Sequence, residues 1–157
     1  MPSKFKDILL ACGKCGASIS HRFWVKISAD DDPILKAQTM DSSLFSSFCV
    51  KCQTSFDVVQ NLRYSDYSKG MSFFVYLCPE ANLAQEYEFI QKLPMLRSYG
   101  TKVHVVNTVA ELQTLITSYD FGLSPQETHI DQSVDSAKFA EGLNQQIAEV
   151  FASMLWD

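Results

Sequence analysis

Two short stretches decide the fold, Cys12-Gly-Lys-Cys15-Gly-Ala-Ser-Ile19 and Cys49-Val-Lys-Cys52-Gln-Thr-Ser-Phe56. They share the pattern C-x-K-C-x-x-S-apolar, so the chain contains an internal repeat, and each copy is predicted to lead into a β-strand. A C-x-x-C turn lets two thiolates reach one metal ion, and two such turns facing one another form a zinc ribbon. The sequence therefore predicts one structural, tetrahedral Zn²⁺. Its expected ligands are Cys12, Cys15, Cys49 and Cys52.

Two other uses of these cysteines remain open, a thiol–disulfide pair and an iron–sulfur cluster. A redox C-x-x-C motif is expected once and in a βαβ context, whereas this chain has two copies within a β pattern. Four thiolates also fill the coordination sphere of zinc, while a catalytic zinc keeps one position open. The predicted metal therefore stabilises the fold. Lys14 and Lys51 occupy equivalent positions, where they either offset the negative charge of the site or are exposed by chance.

The composition is that of a globular protein, with 157 residues, 46% hydrophobic and 20% charged. The longest apolar run, residues 73–78, is too short to cross a bilayer, so no membrane association is expected. Five cysteines are too few for a disulfide scaffold in a chain of this length. We expect a cytoplasmic protein whose thiols are reduced and available to metal.

The two C-x-x-C turns, called knuckles below, lie in the first part of the chain. This part, residues 1–79, is predicted to be an antiparallel β unit held together by the zinc ion. Residues 19–27 alternate between apolar and polar, as expected of a half-buried strand. Asp32 and Pro33 suit the start of a short helix. Residues 61–70 are polar and are predicted to form a loop. Further strands are predicted at 5–10, 55–60 and 73–77, and the helix at 34–40.

The second part, residues 80–157, is predicted to be mainly helical and to pack on the β unit, giving one compact α+β domain. A helix is expected over 80–93 and ends at Pro94, and a brief strand follows at 103–106. Thr108 and Glu111 form a capping box for the next helix. Ser124 and Pro125 are predicted to begin another short helix. A last helix carries an apolar stripe between residues 143 and 155.

The ordered pattern resembles the CpXC family, whose members carry paired cysteine knuckles and have no established activity. The resemblance covers residues 8–130 and implies the same four cysteines as zinc ligands. It departs from the family pattern at Gly13 and Val50, where proline is frequent, but proline supplies no ligand. The matching pieces are Cys12-x-x-Cys15, Asp32-Pro33, Leu44-Phe45, Cys49-x-x-Cys52, Tyr64-x-Asp66, Pro79-Glu80 and, more weakly, 102–112 and 122–123.

Charge is distributed unevenly along a chain whose formal net charge is −5. Residues 103–157 contain eight acidic residues and one lysine, which fits either a solvated face or an acidic surface for a basic protein. We expect non-catalytic recognition of a protein, one version being an inhibitor or immunity-type protein that masks a basic toxin. The expected contact residues are Asp135, Glu141, Glu149, Phe151, Met154 and Trp156.

The alternative function is that of a nucleic-acid-associated zinc ribbon. Residues 1–28 carry five basic residues and one acid, and alternation predicts that an exposed strand face presents charge beside an aromatic ring. The residues concerned are Lys14, Arg22, Trp24 and Lys26.

An enzyme is the least favoured interpretation of the sequence. Cys78 precedes Pro79 at a predicted helix start, yet no base is identifiable beside it, and we interpret it as a core cysteine. His21 and His104 lie in strand patterns typical of half-buried, hydrogen-bonded histidines, and His129 lies further along the chain. Neither a glycine-rich phosphate loop nor H-E-x-x-H is present. Tyr64 and Asp66 indicate either a polar site or, preferably, a tyrosine hydrogen-bonded across a turn.

Overall fold

A computed structural model describes residues 2–67, 72–123 and 125–126 of the chain. Seven strands are present in this part: β1 (Lys4–Ala11), β2 (Ser18–Ser28), β3 (Ser46–Cys49), β4 (Thr54–Asp57), β5 (Leu62–Asp66), β6 (Phe73–Leu77) and β7 (Lys102–Val106). The α-helices are α1 (Pro33–Met40), α2 (Tyr87–Lys92) and α3 (Val109–Asp120). Shorter 3₁₀ segments cover Ser43–Phe45, Glu80–Asn82 and Leu93–Tyr99.

The strands form two sheets, a five-stranded sheet in the order β1-β2-β5-β6-β7 and the separate hairpin β3-β4. The main sheet is mixed, because β2 pairs with β5 in parallel and β6 pairs with β7 in parallel, while β1-β2 and β5-β6 are antiparallel. The predicted α+β class, with a β-rich first half and helices in the second, is confirmed. Strand β7 joins the main sheet from the second half of the chain, so pairing crosses the boundary expected near residue 79.

The predicted loop over 61–70 is wrong, because Leu62–Asp66 forms strand β5 between β2 and β6. The polar composition of this segment favoured a loop, yet four of the five residues of β5 are buried. Backbone ladders to β2 and β6 satisfy the polar main chain on both sides. Tertiary position has overridden local propensity here.

The single helix predicted over 80–93 is also wrong, because the segment divides into the 3₁₀ turn Glu80–Asn82 and the short helix α2. Pro94 does not end the structure, since the chain continues from Leu93 to Tyr99 as a 3₁₀ segment with proline in its first turn. A proline is tolerated there because the first turn needs no internal N–H donor.

Helical segments cover both faces of the main sheet, which gives two hydrophobic cores. The larger core packs one face against α1 and α3, through residues that include Leu35, Leu62, Phe73, Val75, Leu112 and Ile116. The other core packs the opposite face against α2 and the following 3₁₀ segment, through Phe74, Cys78, Ile90, Leu93, Leu96 and Val103. The predicted cap of α3 is confirmed, since the Glu111 backbone N–H donates to Thr108 Oγ1 at 3.2 Å.

Replacing Leu62 by alanine tests the burial of β5. Its side chain is 0% exposed in the larger core, whereas Leu9 on edge strand β1 is 76% exposed. We expect Leu62→Ala to lower the free energy of unfolding by about 2–5 kcal/mol and Leu9→Ala to change it by less than about 0.5 kcal/mol. Urea denaturation of both variants measures this, and equal effects would contradict a buried β5.

Candidate metal centre

Each C-x-x-C pair lies at the tip of a hairpin, the first between β1 and β2 and the second between β3 and β4. The backbone closes the two turns in the same way. The Gly16 N–H donates to the Cys12 carbonyl at 2.8 Å, and the Gln53 N–H donates to the Cys49 carbonyl at 2.7 Å. Both donor residues have a positive φ, 74° at Gly16 and 58° at Gln53. The repeat in the sequence is therefore a repeat in backbone conformation.

The four cysteine sulfurs lie within 4.8 Å of one another. The two closest pairs each join one knuckle to the other, with 3.6 Å between the Sγ atoms of Cys12 and Cys52 and 3.6 Å between those of Cys15 and Cys49. A tetrahedral zinc with Zn–S bonds of about 2.3 Å separates its sulfurs by about 3.8 Å. The spacing thus fits one metal ion held by both hairpins, and all five cysteines are free of disulfides.

The site is sheltered on one side and open on the other. Cys12 and Cys49 are buried, Cys52 is half-buried and Cys15 is exposed. The buried side packs into a small hydrophobic cluster that also contains Ile19 and contacts Ala17 and Phe56. A bound ion would thus be shielded by the strands and accessible to chelators past Cys15.

The pKa values of the cluster thiols differ, largely because their hydrogen bonds differ. Backbone N–H groups of Cys15 and then Lys14 lower the pKa of Cys12. The pKa of Cys52 falls to about 6, chiefly through the Thr54 hydroxyl, which lies 3.3 Å from its sulfur. For Cys15, the Ala17 N–H lowers the pKa, but partial desolvation of the sulfur beside the other three thiols and the interactions with those thiols outweigh it and raise the value to about 11. Sequence reasoning missed Thr54, although it stands two residues after Cys52.

The remaining cysteine belongs to the core. Cys78 is fully buried, and its thiol lies 3.8 Å from the Pro79 carbonyl oxygen, to which it donates. Burial, followed by the negative charge of Glu86, raises its pKa to about 11. The helix expected to begin beside it is a 3₁₀ turn. Burial therefore disfavours the thiolate form of Cys78.

The histidines are more buried than expected. His104 is fully buried, and its Nε2 lies 2.7 Å from the Tyr119 hydroxyl. His21 is 7% exposed, and its Nε2 has no hydrogen-bond partner within the described part of the chain. The half-buried state predicted for both rings is therefore wrong, because both strands lie against packed faces. His129 lies outside the described residues.

The predicted turn around Tyr64 and Asp66 is wrong, because both residues are buried on β5. Tyr64 stacks on Phe73 with 6.1 Å between ring centroids, and Phe73 stacks on Tyr119 at 3.9 Å. Burial and then the charge of Asp66 raise the pKa of Tyr64 well above its usual range. Tyr64 therefore acts as a packed core side chain.

The exposed basic face predicted on β2 is not present. Lys26 is only 3% exposed, because the end of β2 lies inside the sheet beside β5. Trp24 packs against the larger core. Arg22 is exposed but pairs with Asp7 at 3.2 Å and lies 4.0 Å from the centre of the Phe5 ring. This prediction fails because strict alternation was extended into a strand segment that is buried on both faces.

Other predicted residues lie on the surface or beyond the described part. Lys14 and Lys51 are exposed in the two knuckles, and their role in offsetting charge stays a prediction. Of the short helix predicted from Ser124, only residues 125–126 are described, and they are not helical, while the predicted last helix lies outside the described residues. So do the expected partner contacts Asp135, Glu141, Glu149, Phe151, Met154 and Trp156. None of the helices described is long and apolar enough to cross a membrane.

Two hairpins that bring four cysteine sulfurs together define a class of proteins with a paired-knuckle cluster of four cysteines that could hold one metal ion. The family model described as CpXC protein matches residues 10–132, which is most of the chain. The chain belongs to the CpXC family, as the sequence pattern indicated. No curated protein and no solved structure matches the chain.

Substituting one knuckle cysteine tests the metal centre. Cys49→Ser removes a buried sulfur, so the purified variant should lose its bound metal and melt at a lower temperature, since metal-binding energy is also folding energy. Cys78→Ala is the matched control, because it removes a buried thiol outside the cluster and should keep the metal. Elemental analysis and thermal melts of both variants decide the matter. Unchanged metal content in Cys49→Ser would exclude this site.

Metal affinity should rise with pH. Because the pKa of the Cys15 thiol is about 11, this group is protonated at neutral pH and must lose its proton on binding. Each proton released makes the affinity about tenfold higher per pH unit. Competition with a chelator at pH 6, 7 and 8 measures this slope. A pH-independent affinity would contradict thiolate ligation.

Proposed function

We propose that this CpXC chain is a non-catalytic protein-recognition module that is held together by one structural Zn²⁺ and binds a basic protein. One observation supports the structural-metal part of the proposal, namely that sulfurs from two hairpin tips lie within 4.8 Å of one another and could form a complete set of four ligands. Four sulfur ligands in tetrahedral spacing suit zinc. The 3.6 Å separations support a single ion, because a cluster with inorganic sulfide would hold the cysteines further apart.

Several features support a non-catalytic role. Four thiolates leave no open position on zinc for a substrate or water. The buried Cys78 has a raised pKa, which works against nucleophilic chemistry. The Nε2 atom of His104 is hydrogen-bonded to Tyr119 inside the core, where it cannot meet a substrate.

The partner is proposed from charge. Eight acids against one lysine in residues 103–157 favour encounter with a basic protein, since opposite charges steer association. In this proposal the contacts come from Asp135, Glu141 and Glu149, with Phe151, Met154 and Trp156 as apolar anchors. The finer version is an inhibitor or immunity-type protein that masks a basic toxin. A cytoplasmic location would keep the knuckle thiols reduced.

A pair of charge variants tests the proposal in the native cell. The tagged chain is purified at low salt, and native mass spectrometry of the eluate should show one zinc ion and one stoichiometric basic protein. Changing Asp135, Glu141 and Glu149 to amides should remove the partner but keep the zinc. The control changes the exposed Asp30, Glu80 and Glu88 to amides, which alters the net charge equally. Equal loss in both variants, or zinc with no basic partner, would reject the proposed surface.

A further inference from the structure

A cavity of about 330 Å³ lies where the base of the β3-β4 hairpin meets the ends of β6 and β7 and the start of α3. Its volume is within the range of small-molecule sites. It lies away from the cysteine cluster, and none of its wall residues is a candidate metal ligand in that cluster. The wall is formed by Ser42, Phe45, Asp57, Val58, Val59, Gln60, Leu77, Pro79, Asn107, Thr108 and Val109.

The position of the cavity in the sheet favours ligand binding. Strands β6 and β7 are parallel, with Leu77 opposite Val106, so their carboxyl ends lie at the same edge. Leu77, Pro79 and Asn107 of the wall come from these ends. Sheets with parallel strands commonly bind ligands at this edge, because the chain diverges there into loops and helices.

The chemistry of the wall points to a ligand that is apolar and positively charged. Most of the wall is apolar, and Asp57 is the one charged residue among the described residues that line it. The Asp57 side chain is exposed and makes no ion pair or side-chain hydrogen bond within the described part of the chain. The buried Gln60 donates through Nε2 to the Trp24 carbonyl at 2.9 Å, while its Oε1 has no partner among the described residues. The wall therefore offers unused acceptors and a negative charge.

An anion is disfavoured even though α3 begins at the cavity. The N-terminus of a helix attracts anions through its free N–H groups. Here Thr108 already accepts from the Glu111 N–H, and Glu111 places a carboxylate in the first turn. Together with Asp57, this carboxylate makes the edge negative.

We infer that this cavity binds a small organic cation, an alkyl- or arylalkyl-ammonium compound whose apolar body enters the cavity and whose ammonium group pairs with Asp57. The inference is independent of the proposed protein partner. The same ammonium chemistry can come from a free amine or from a lysine side chain. The test below therefore contains one probe for each source.

Metal binding should support this site through the second hairpin. The Val58 N–H donates to the Phe45 carbonyl at 2.6 Å, and Asp57 lies opposite Ser46 at the base of β3-β4. The tip of the same hairpin carries Cys49 and Cys52. A metal that fixes the tip therefore also fixes one wall of the cavity, so removal of the metal should weaken binding.

Titration calorimetry of the metal-loaded full chain with three matched probes tests the inference. The probes are n-hexylamine, hexan-1-ol and hexanoate, which share one alkyl body, and Nα-acetyl-lysinamide represents a polypeptide side chain. Hexylamine should bind more tightly than hexanol, and hexanoate should bind least. Binding of acetyl-lysinamide as tight as that of hexylamine would identify a lysine side chain as a sufficient ligand. If hexylamine binds and acetyl-lysinamide does not, the site is specific for free amines.

Two variants locate the site and one controls for charge. Asp57→Asn should weaken hexylamine binding by about fivefold and leave hexanol unchanged, because only the ion pair is lost. Glu88→Gln on α2 makes the same change in net charge away from the cavity and should leave both probes unaffected. Asn107→Phe places a ring at the exposed rim and should reduce the binding of all probes.

The inference is overturned by any of three results. These are equal affinity for hexylamine and hexanoate, no binding of any probe at about 10 mM, and hexylamine binding that is insensitive to both Asp57→Asn and Asn107→Phe in folded proteins. Thermal melts and metal analysis of each variant establish folding independently. Chelation of the metal should reduce hexylamine affinity in the unmodified chain, and unchanged affinity would remove the link between the metal and the cavity.

Discussion

The convergence of four cysteine sulfurs within 4.8 Å of one another is the constraint on which the arrangement of the two hairpins depends. Within the described residues, the β3-β4 hairpin forms a sheet separate from the main one, and a two-stranded hairpin alone is at most marginally stable in water. The sulfur cluster joins its tip to the β1-β2 hairpin, whose second strand continues into the main sheet. A single ion can therefore fix the position of an otherwise weakly held element, at a much lower cost in chain length than an extended hydrophobic interface.

The knuckles could be predicted because their chemistry is local. A thiolate pair needs only a tight turn, so the spacing of Cys12 and Cys15 already specifies the backbone around them, and the repeat at Cys49 specifies its partner. The cap at Thr108 is local in the same sense. In both features, residues close together in the sequence determine the local structure, so the sequence pattern is sufficient to predict it.

The errors arose where position in the sheet determines burial. Strand β5 carries Arg63, Ser65 and Asp66, a composition that predicts a loop, but its place between two strands satisfies its backbone and buries it. Lys26 was placed on a solvent face for the same reason, since alternation does not show where a strand enters the middle of a sheet. The cavity wall extends from Ser42 to Val109, and no local pattern joins residues so far apart.

The separation of the cores shows how far the influence of the metal extends. The cluster around the cysteines shares no residue with the two cores that hold helices against the sheet. Loss of the ion should therefore loosen the hairpin tips while most of the apolar burial remains, a local change in stability. The base of β3-β4 is joined to the larger core, because Phe45 belongs to that core and also accepts the hydrogen bond from Val58. A metal ion held at the hairpin tip and the cavity at the hairpin base would therefore be connected through one short hairpin.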